Sequence, residues 1–159
     1  MEKTFRDSVG KKIWFSTDYH PFSDQPQHVI VILHYKTGWI MTNHSKRGLE
    51  FPGGKKEEGE SIKQTAIRET WEETGAVISN LSYIAQYRFF MDGQECVKDV
   101  YFAEADALQE KEDYLETKGA VVIEQLPQHF MGEEFSFIMQ DTVMKECLDI
   151  VKGLYVREG

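Results

Sequence analysis

The residues best able to do chemistry in this chain are Arg68-Glu69-Thr70-Trp71-Glu72-Glu73. If the segment is helical, Glu69 lies beside Glu72 and Glu73, at spacings of three and four. Like charges so placed destabilise an isolated helix by roughly 0.2–0.5 kcal/mol per pair. They also fall toward the C-terminal end of the segment, where the helix dipole disfavours anions. Such a face costs stability unless a cation occupies it. Carboxylate oxygens on a rigid helix suit Mg²⁺ or Mn²⁺, ions held by carboxylates, water and substrate phosphate. The ordinary alternative is a solvated acidic face, since charge runs usually meet water. The surrounding residues decide between the two.

The elements that must position these carboxylates are legible in outline. Ser61 to Thr74 carries the strongest helix signature, with Ser61 as N-cap, Gln64 completing a capping box, and Gly75 placed for a left-handed C-terminal cap. Ile62, Ala66 and Thr70 form a narrow stripe suited to packing on a sheet. Ile13 to Ser16 reads as a short strand and Val29 to Tyr35 as a buried one, being β-branched and apolar throughout. Lys36-Thr37-Gly38 is a hairpin turn into Trp39 to Thr42, with Gly38 free to take positive φ. Leu49-Glu50-Phe51 leads into Pro52-Gly53-Gly54, which cannot sit inside a helix. Leu81 to Phe90 and Val97 to Ala103 are two strands separated by Asp92-Gly93, and Ala120 to Ile123 is another. Phe137 to Val151 is a closing helix with Ile138, Val143, Met144, Cys147, Leu148 and Val151 on its apolar side. The class is α+β, a mixed β-sheet sandwiched between α-helices. With no repeat or linker, residues 1–159 form a single domain.

Bulk properties narrow the function. A net charge of −9 argues against broad electrostatic capture of nucleic acid or an anionic membrane. It leaves room for a small polyanion, because a bound metal inverts the local field. Cys96 and Cys147 lack the spacing of a zinc or redox motif and read as two buried thiols of a reducing compartment. His20, His28, His34, His44 and His129 show no metal-ligand spacing. Met1 to Lys12 is too polar for a signal peptide, and the longest apolar run, Val29 to Leu33, is too short to span a bilayer. The expectation is a soluble cytoplasmic protein, with no membrane association and no protein partner evident.

From Gly54 to Ala76 the chain reads GKKEEGESIKQTAIRETWEETGA. This resembles the box of the Nudix hydrolases, G-x5-E-x7-R-E-U-x-E-E-x-G-U, where U is a bulky apolar residue. Gly54, Glu60, Arg68, Glu69, Glu72, Glu73 and Gly75 all fall in register. Thr70 and Ala76 depart from it, standing where larger apolar groups are usual, which bears on packing rather than chemistry. The preceding Glu50-Phe51-Pro52-Gly53 is also typical of the family. Over most of its length the chain is similar to MutT-like members. The likeness includes Pro21-Phe22-Ser23-Asp24, Arg47-Gly48, Tyr114 with Glu116-Thr117-Lys118-Gly119, and Phe135-Ser136-Phe137-Ile138-Met139.

The resemblance implies a Nudix fold and a loop–helix–loop holding Mg²⁺, with Mn²⁺ a substitute, against a diphosphate. Glu69, Glu72 and Glu73 would be metal ligands, joined by the carbonyl of Gly53. Glu60 would stabilise the motif or bind an auxiliary ion. Arg68 would orient the carboxylates through charge-assisted hydrogen bonds. Glu116 is the favoured general base, and Lys55 and His44 are the phosphate contacts. Phe135, Phe137, Gln140 and Asp141 are candidates for the nucleobase, while Trp71 reads as packing. The implied substrates are (deoxy)nucleoside triphosphates, oxidised guanine nucleotides such as 8-oxo-dGTP among them, cleaved to monophosphate and pyrophosphate. The close alternative is a triphosphorylated RNA 5′ end. A remoter one is a nucleotide-sensing module without catalysis, although such modules usually lose the carboxylates retained here.

Overall fold

The computed structural model describes residues 2–7, 9–127, 130, 134–140 and 142–156. Its strands are β1 (Glu2–Arg6), β2 (Lys12–Ser16), β3 (His28–Tyr35), β4 (Gly38–His44), β5 (Gly48–Glu50), β6 (Gly53–Lys55), β7 (Ala76–Val77), β8 (Ser82–Met91), β9 (Gln94–Glu104), β10 (Ala107–Leu108) and β11 (Thr117–Ile123). The helices are α1 (Ile62–Thr74) and α2 (Thr142–Leu154), the latter preceded by a 3-10 turn over Phe137–Gln140. The main sheet runs β1-β2-β8-β9-β3-β4-β11, with β5 on β4 and β6 on β3; β7 and β10 form a separate pair. β3 and β9 are parallel.

β3 explains the layering. Val29, Val31 and Leu33 share one apolar cluster with Ala66 of α1. Ile30 and Ile32, pointing the other way, share a second with Val143, Met144, Cys147, Leu148 and Val151 of α2. Strand alternation thus feeds both layers from one run, and burial of each such side chain contributes about 1.5–3 kcal/mol. The expected sheet between helices is the one observed.

α1 starts and stops as its sequence predicts. Ser61 Oγ accepts from the Gln64 N–H at 3.1 Å while Gln64 Oε1 accepts from the Ser61 N–H at 2.9 Å. Gly75 closes the helix at φ 76, and a Cβ there would lie 2.0 Å from the carbonyl oxygen of Gln109. The buried face is small, Thr65, Ala66, Thr70 and Thr74, so the helix sits close to the sheet. Thr42 and Thr117 hydroxyls both donate to the carbonyl of Glu73, at 3.0 and 3.1 Å, tying the last turn to β4 and β11.

Some expectations need correction. Lys36, not Gly38, takes positive φ in the hairpin between β3 and β4. Gly38 is already strand, and a Cβ on it would sit 2.5 Å from the Val122 side chain, so the glycine serves a close approach. The helix expected from Phe137 begins instead as the 3-10 turn, because Ser136 Oγ and its carbonyl accept from the N–H groups of Ile138 and Met139. Cys147 is buried but Cys96 only partly so. No helix among the described residues is long and apolar enough to cross a membrane.

Candidate active site

Arg68 is the hub of the acidic cluster. Its Nε and Nη2 fork onto Glu60 at 2.7 and 3.0 Å, while Nη1 reaches Glu69 at 2.9 Å and Glu72 at 3.2 Å. Glu60 also accepts from the Glu57 N–H and the Thr65 hydroxyl. Four donors, led by the Arg68 guanidinium, hold its carboxyl down to about 2. Its acceptor capacity is therefore spent inside the motif, and of the two expected roles for Glu60 the geometry carries the stabilising one.

Glu69 and Glu73 behave in the opposite sense. Their carboxyl groups adjoin, so the two resist carrying full charge together. Burial, and then the adjoining Glu69, push Glu73 up to about 9, with the Gly53 N–H opposing at 3.4 Å. Burial also raises Glu69, against the pull of Glu73's hydrogen bond and of Arg68. A Cβ on Gly54 would lie 2.5 Å from the Glu69 carboxyl carbon, so only glycine leaves that group uncovered. Hydrogen bonds Val31 N–H to Pro52 O and Lys56 N–H to Gln27 O flank the Ile30–Gly53 pair of β3 and β6. By ladder alternation Gly53 is non-bonded in that pair, and its N–H and carbonyl turn away from β3. Among the described residues no three His, Cys, Asp or Glu side chains already converge on one point. The donor set is nonetheless all hard oxygen, with like charges crowded together, and it fits a small divalent cation that would relieve their repulsion.

These groups line a cleft of about 550 Å³ whose other wall includes His44, Arg47, Glu116 and Thr117. His44 is buried. Its Nδ1 accepts the N–H groups of Lys46 and Arg47, both at 3.1 Å, which leaves the ring hydrogen on Nε2. Nε2 has no hydrogen-bond partner and lies 3.8 Å from Glu116 Oε2. Glu116 is exposed at the cleft rim, following Leu115 at φ 58. Its loop is held by Lys111, whose Nζ donates to the carbonyls of Trp71 and Glu72 at 3.0 and 3.1 Å and sits between the rings of Trp71 and Tyr114.

A second cavity of about 260 Å³ adjoins the first; Arg47, Gly53, Gly54 and Lys55 border both. It is walled by Phe89, Met91, Phe137 and Ile138, with His28 and Lys98 among its polar groups. Burial, then the charges of Lys98 and Lys55, lower His28 to about 4, so it is neutral at pH 7. Of the expected base contacts, Phe137 lines this slot. Phe135 instead packs in the core against Phe130, and the Gln140 amide donates to the Phe135 carbonyl. Asp141 lies outside the described residues, as does His129.

The NUDIX domain matches residues 22–136. The chain belongs to the Nudix family. A Bacillus subtilis (strain 168) relative, provisionally described as the 8-oxo-dGTP diphosphatase YtkD, is 42% identical over 149 residues, 93% of this chain and 94% of that protein. A mutant of the Bacillus subtilis pyrophosphohydrolase BsRppH superposes with TM-score 0.93 at 39% identity, over 98% of this chain and 99% of the other. A Nudix hydrolase from Nitrosomonas europaea, at TM-score 0.60 and 18% identity over 80% of this chain and 89% of the other, shares the fold. Within this Nudix fold, reading the sequence missed Arg47, His28, Lys98 and Lys111. The positions of His28, Lys98 and Lys111 depend on long-range pairing, whereas Arg47 pairs with nearby Glu50, and only the Arg47-Gly48 dipeptide carried any signal.

Proposed function

We propose that this Nudix protein is a Mg²⁺-dependent pyrophosphohydrolase of (deoxy)nucleoside triphosphates, 8-oxo-dGTP among them, yielding monophosphate and pyrophosphate. The observation that carries the reading is the trio Glu69, Glu72 and Glu73, the first two held by Arg68, on the wall of a cleft that opens into an aromatic slot. Relatives described as an 8-oxo-dGTP diphosphatase and a pyrophosphohydrolase support it. Mg²⁺ would be held by Glu69, Glu72, Glu73 and the Gly53 carbonyl; when bound, it polarises phosphoryl oxygens and acidifies water.

The chain's own groups supply the rest. Arg68 keeps Glu69 and Glu72 aimed at the cleft, with Glu60 fixing Arg68 in turn. His44 Nε2–H and Lys55 offer hydrogen bonds to phosphate oxygens. Glu116 accepts the proton of the attacking water from the rim. Phe137 and Phe89 stack on the base, and the low basicity of His28 leaves it a neutral polar contact there. A panel of dGTP, 8-oxo-dGTP, ADP-ribose, a dinucleoside polyphosphate and 5′-triphosphorylated RNA, with products resolved, tests the reading. Absence of monophosphate from every nucleoside triphosphate with Mg²⁺ present overturns it. Triphosphorylated RNA is the second reading, favoured by the exposed rim where Met91 and Phe137 would meet a following nucleotide.

A further inference from the structure

Arg47 stands where the slot and the cleft join, bordering both. Its guanidinium is anchored: Nη2 donates to Glu50 Oε1 at 2.7 Å and Nε to Glu50 Oε2 at 3.1 Å. The Glu50 carboxylate is only 5% exposed, and the residue is fixed on β5 opposite Thr42 of β4. A guanidinium has five N–H donors, and this fork uses one edge. The remaining edge is held in a set direction without having to be ordered by a ligand. Lys55 borders the same two cavities but is an exposed side chain with no such anchor. Charge alone does not distinguish the two; preorganisation does.

The proposed reading puts a nucleoside in the slot and a phosphate chain against the carboxylates. The part of such a substrate that must cross the junction is the phosphate bonded to the ribose. Resting on that reading, we infer that Arg47, steadied by Glu50, binds the phosphate attached to the nucleoside and thereby fixes which phosphoanhydride lies against Glu69, Glu72 and Glu73. With that phosphate held, the next bridging bond meets the reactive wall. Water adds its oxygen to one phosphorus of that bond, the bridging P–O bond to that phosphorus breaks, and the displaced proton goes to the base, giving monophosphate and pyrophosphate. If the chain slips by one phosphate, the same exchange of one water for one P–O bond gives diphosphate and orthophosphate. Arg47 is thus a specificity-determining residue whose signature is the register of cleavage.

Binding and products together test this. Arg47→Lys keeps the charge and loses the fork. Arg47→Met combined with Glu50→Gln removes the buried carboxylate with its partner, guarding against loss of fold. Calorimetry with dGMP should give affinity weaker by about tenfold in both, with deoxyguanosine unchanged. With dGTP and Mg²⁺, the diphosphate share should rise from trace to about a tenth of product or more. Wild-type dGMP affinity and wild-type product ratio in both variants would overturn the inference. The dGMP measurement needs no turnover, so it judges Arg47 even if wild-type protein fails to hydrolyse dGTP, a result that would count against the proposed function instead.

Discussion

Two carboxylate sites in this molecule are built on opposite principles. Asp99, on β9, is fully buried, yet its oxygens receive the His20 ring at 2.8 Å, the Tyr101 hydroxyl at 3.0 Å and the Gln86 amide at 2.9 Å. Gln86 in turn accepts from the Phe22 and Ser23 N–H groups. The network pins the segment between β2 and β3 onto β8 and β9, and every member finds a partner. Glu73 is half-buried, but its neighbours are Glu69 and the Gly53 N–H, and burial and the adjoining carboxyl push it up to about 9. A satisfied carboxylate fixes structure; an unsatisfied one stores affinity for a cation. What separates the two is the count and charge of their donors.

The sharpest way to break this contrast is to neutralise each site. Glu73→Gln should lower kcat by about 10²–10³-fold in a nucleotide hydrolysis assay, while Tm in EDTA stays level or rises, since the amide needs no proton. Asp99→Ala should do the reverse, costing about 3 kcal/mol by urea unfolding through the donors it strands, with kcat/KM of the folded fraction retained. If Asp99→Ala spares stability and abolishes turnover, the division of labour is refuted. Gly54→Ala should cost about tenfold in kcat, read in the same hydrolysis assay, because its methyl group displaces the Glu69 carboxyl.

Titration sharpens the contrast further. The folded chain keeps on Glu73 a proton that the unfolded chain releases, so its contribution to stability is present below pH 4.5 and is lost as pH rises toward about 9. Without metal, Tm should fall by roughly 5 °C across that window, and saturating Mg²⁺ should recover more at the alkaline end. A flat profile in Glu73→Gln and an unchanged one in Asp99→Asn would assign the slope. The smallest effect expected is from Lys111→Met, about 0.5–1 kcal/mol from the lost C-terminal cap of α1, measured by thermal unfolding.

How far the sequence spoke for this molecule depended on range. α1, its caps and its carboxylates were legible because Ser61, Gln64 and Gly75 act within a few residues of where they stand. The hairpins were legible for the same reason. β1 was not, since Glu2–Arg6 reads as polar terminus until Phe5 meets Phe15 across the pair. β6 was hidden because Gly53 and Gly54 have no strand preference; Gly53 is there for closeness, a Cβ on it lying 2.2 Å from the Val29 carbonyl oxygen. Phe135 and Phe137 are alike in type and near in sequence, yet one is core and the other lines the slot. Pattern alone could not sort them, because a 3-10 turn with its own rotation per residue follows Phe135. Lys111 took its position from the Trp71 and Glu72 carbonyls, which only the fold brings near.

One consequence follows from the way His44 is wired. The two N–H groups that fix its tautomer belong to the very next turn, at Lys46 and Arg47, so the chemical identity of the ring's far nitrogen is written in local backbone shape. Lengthening or shortening that turn by one residue would free the near nitrogen to take the hydrogen and leave a lone pair pointing at the Glu116 carboxylate. The same imidazole would then repel what it now attracts. Loop length between β4 and β5 is therefore a coded instruction about polarity, and a chimaera that swaps only this turn would switch it.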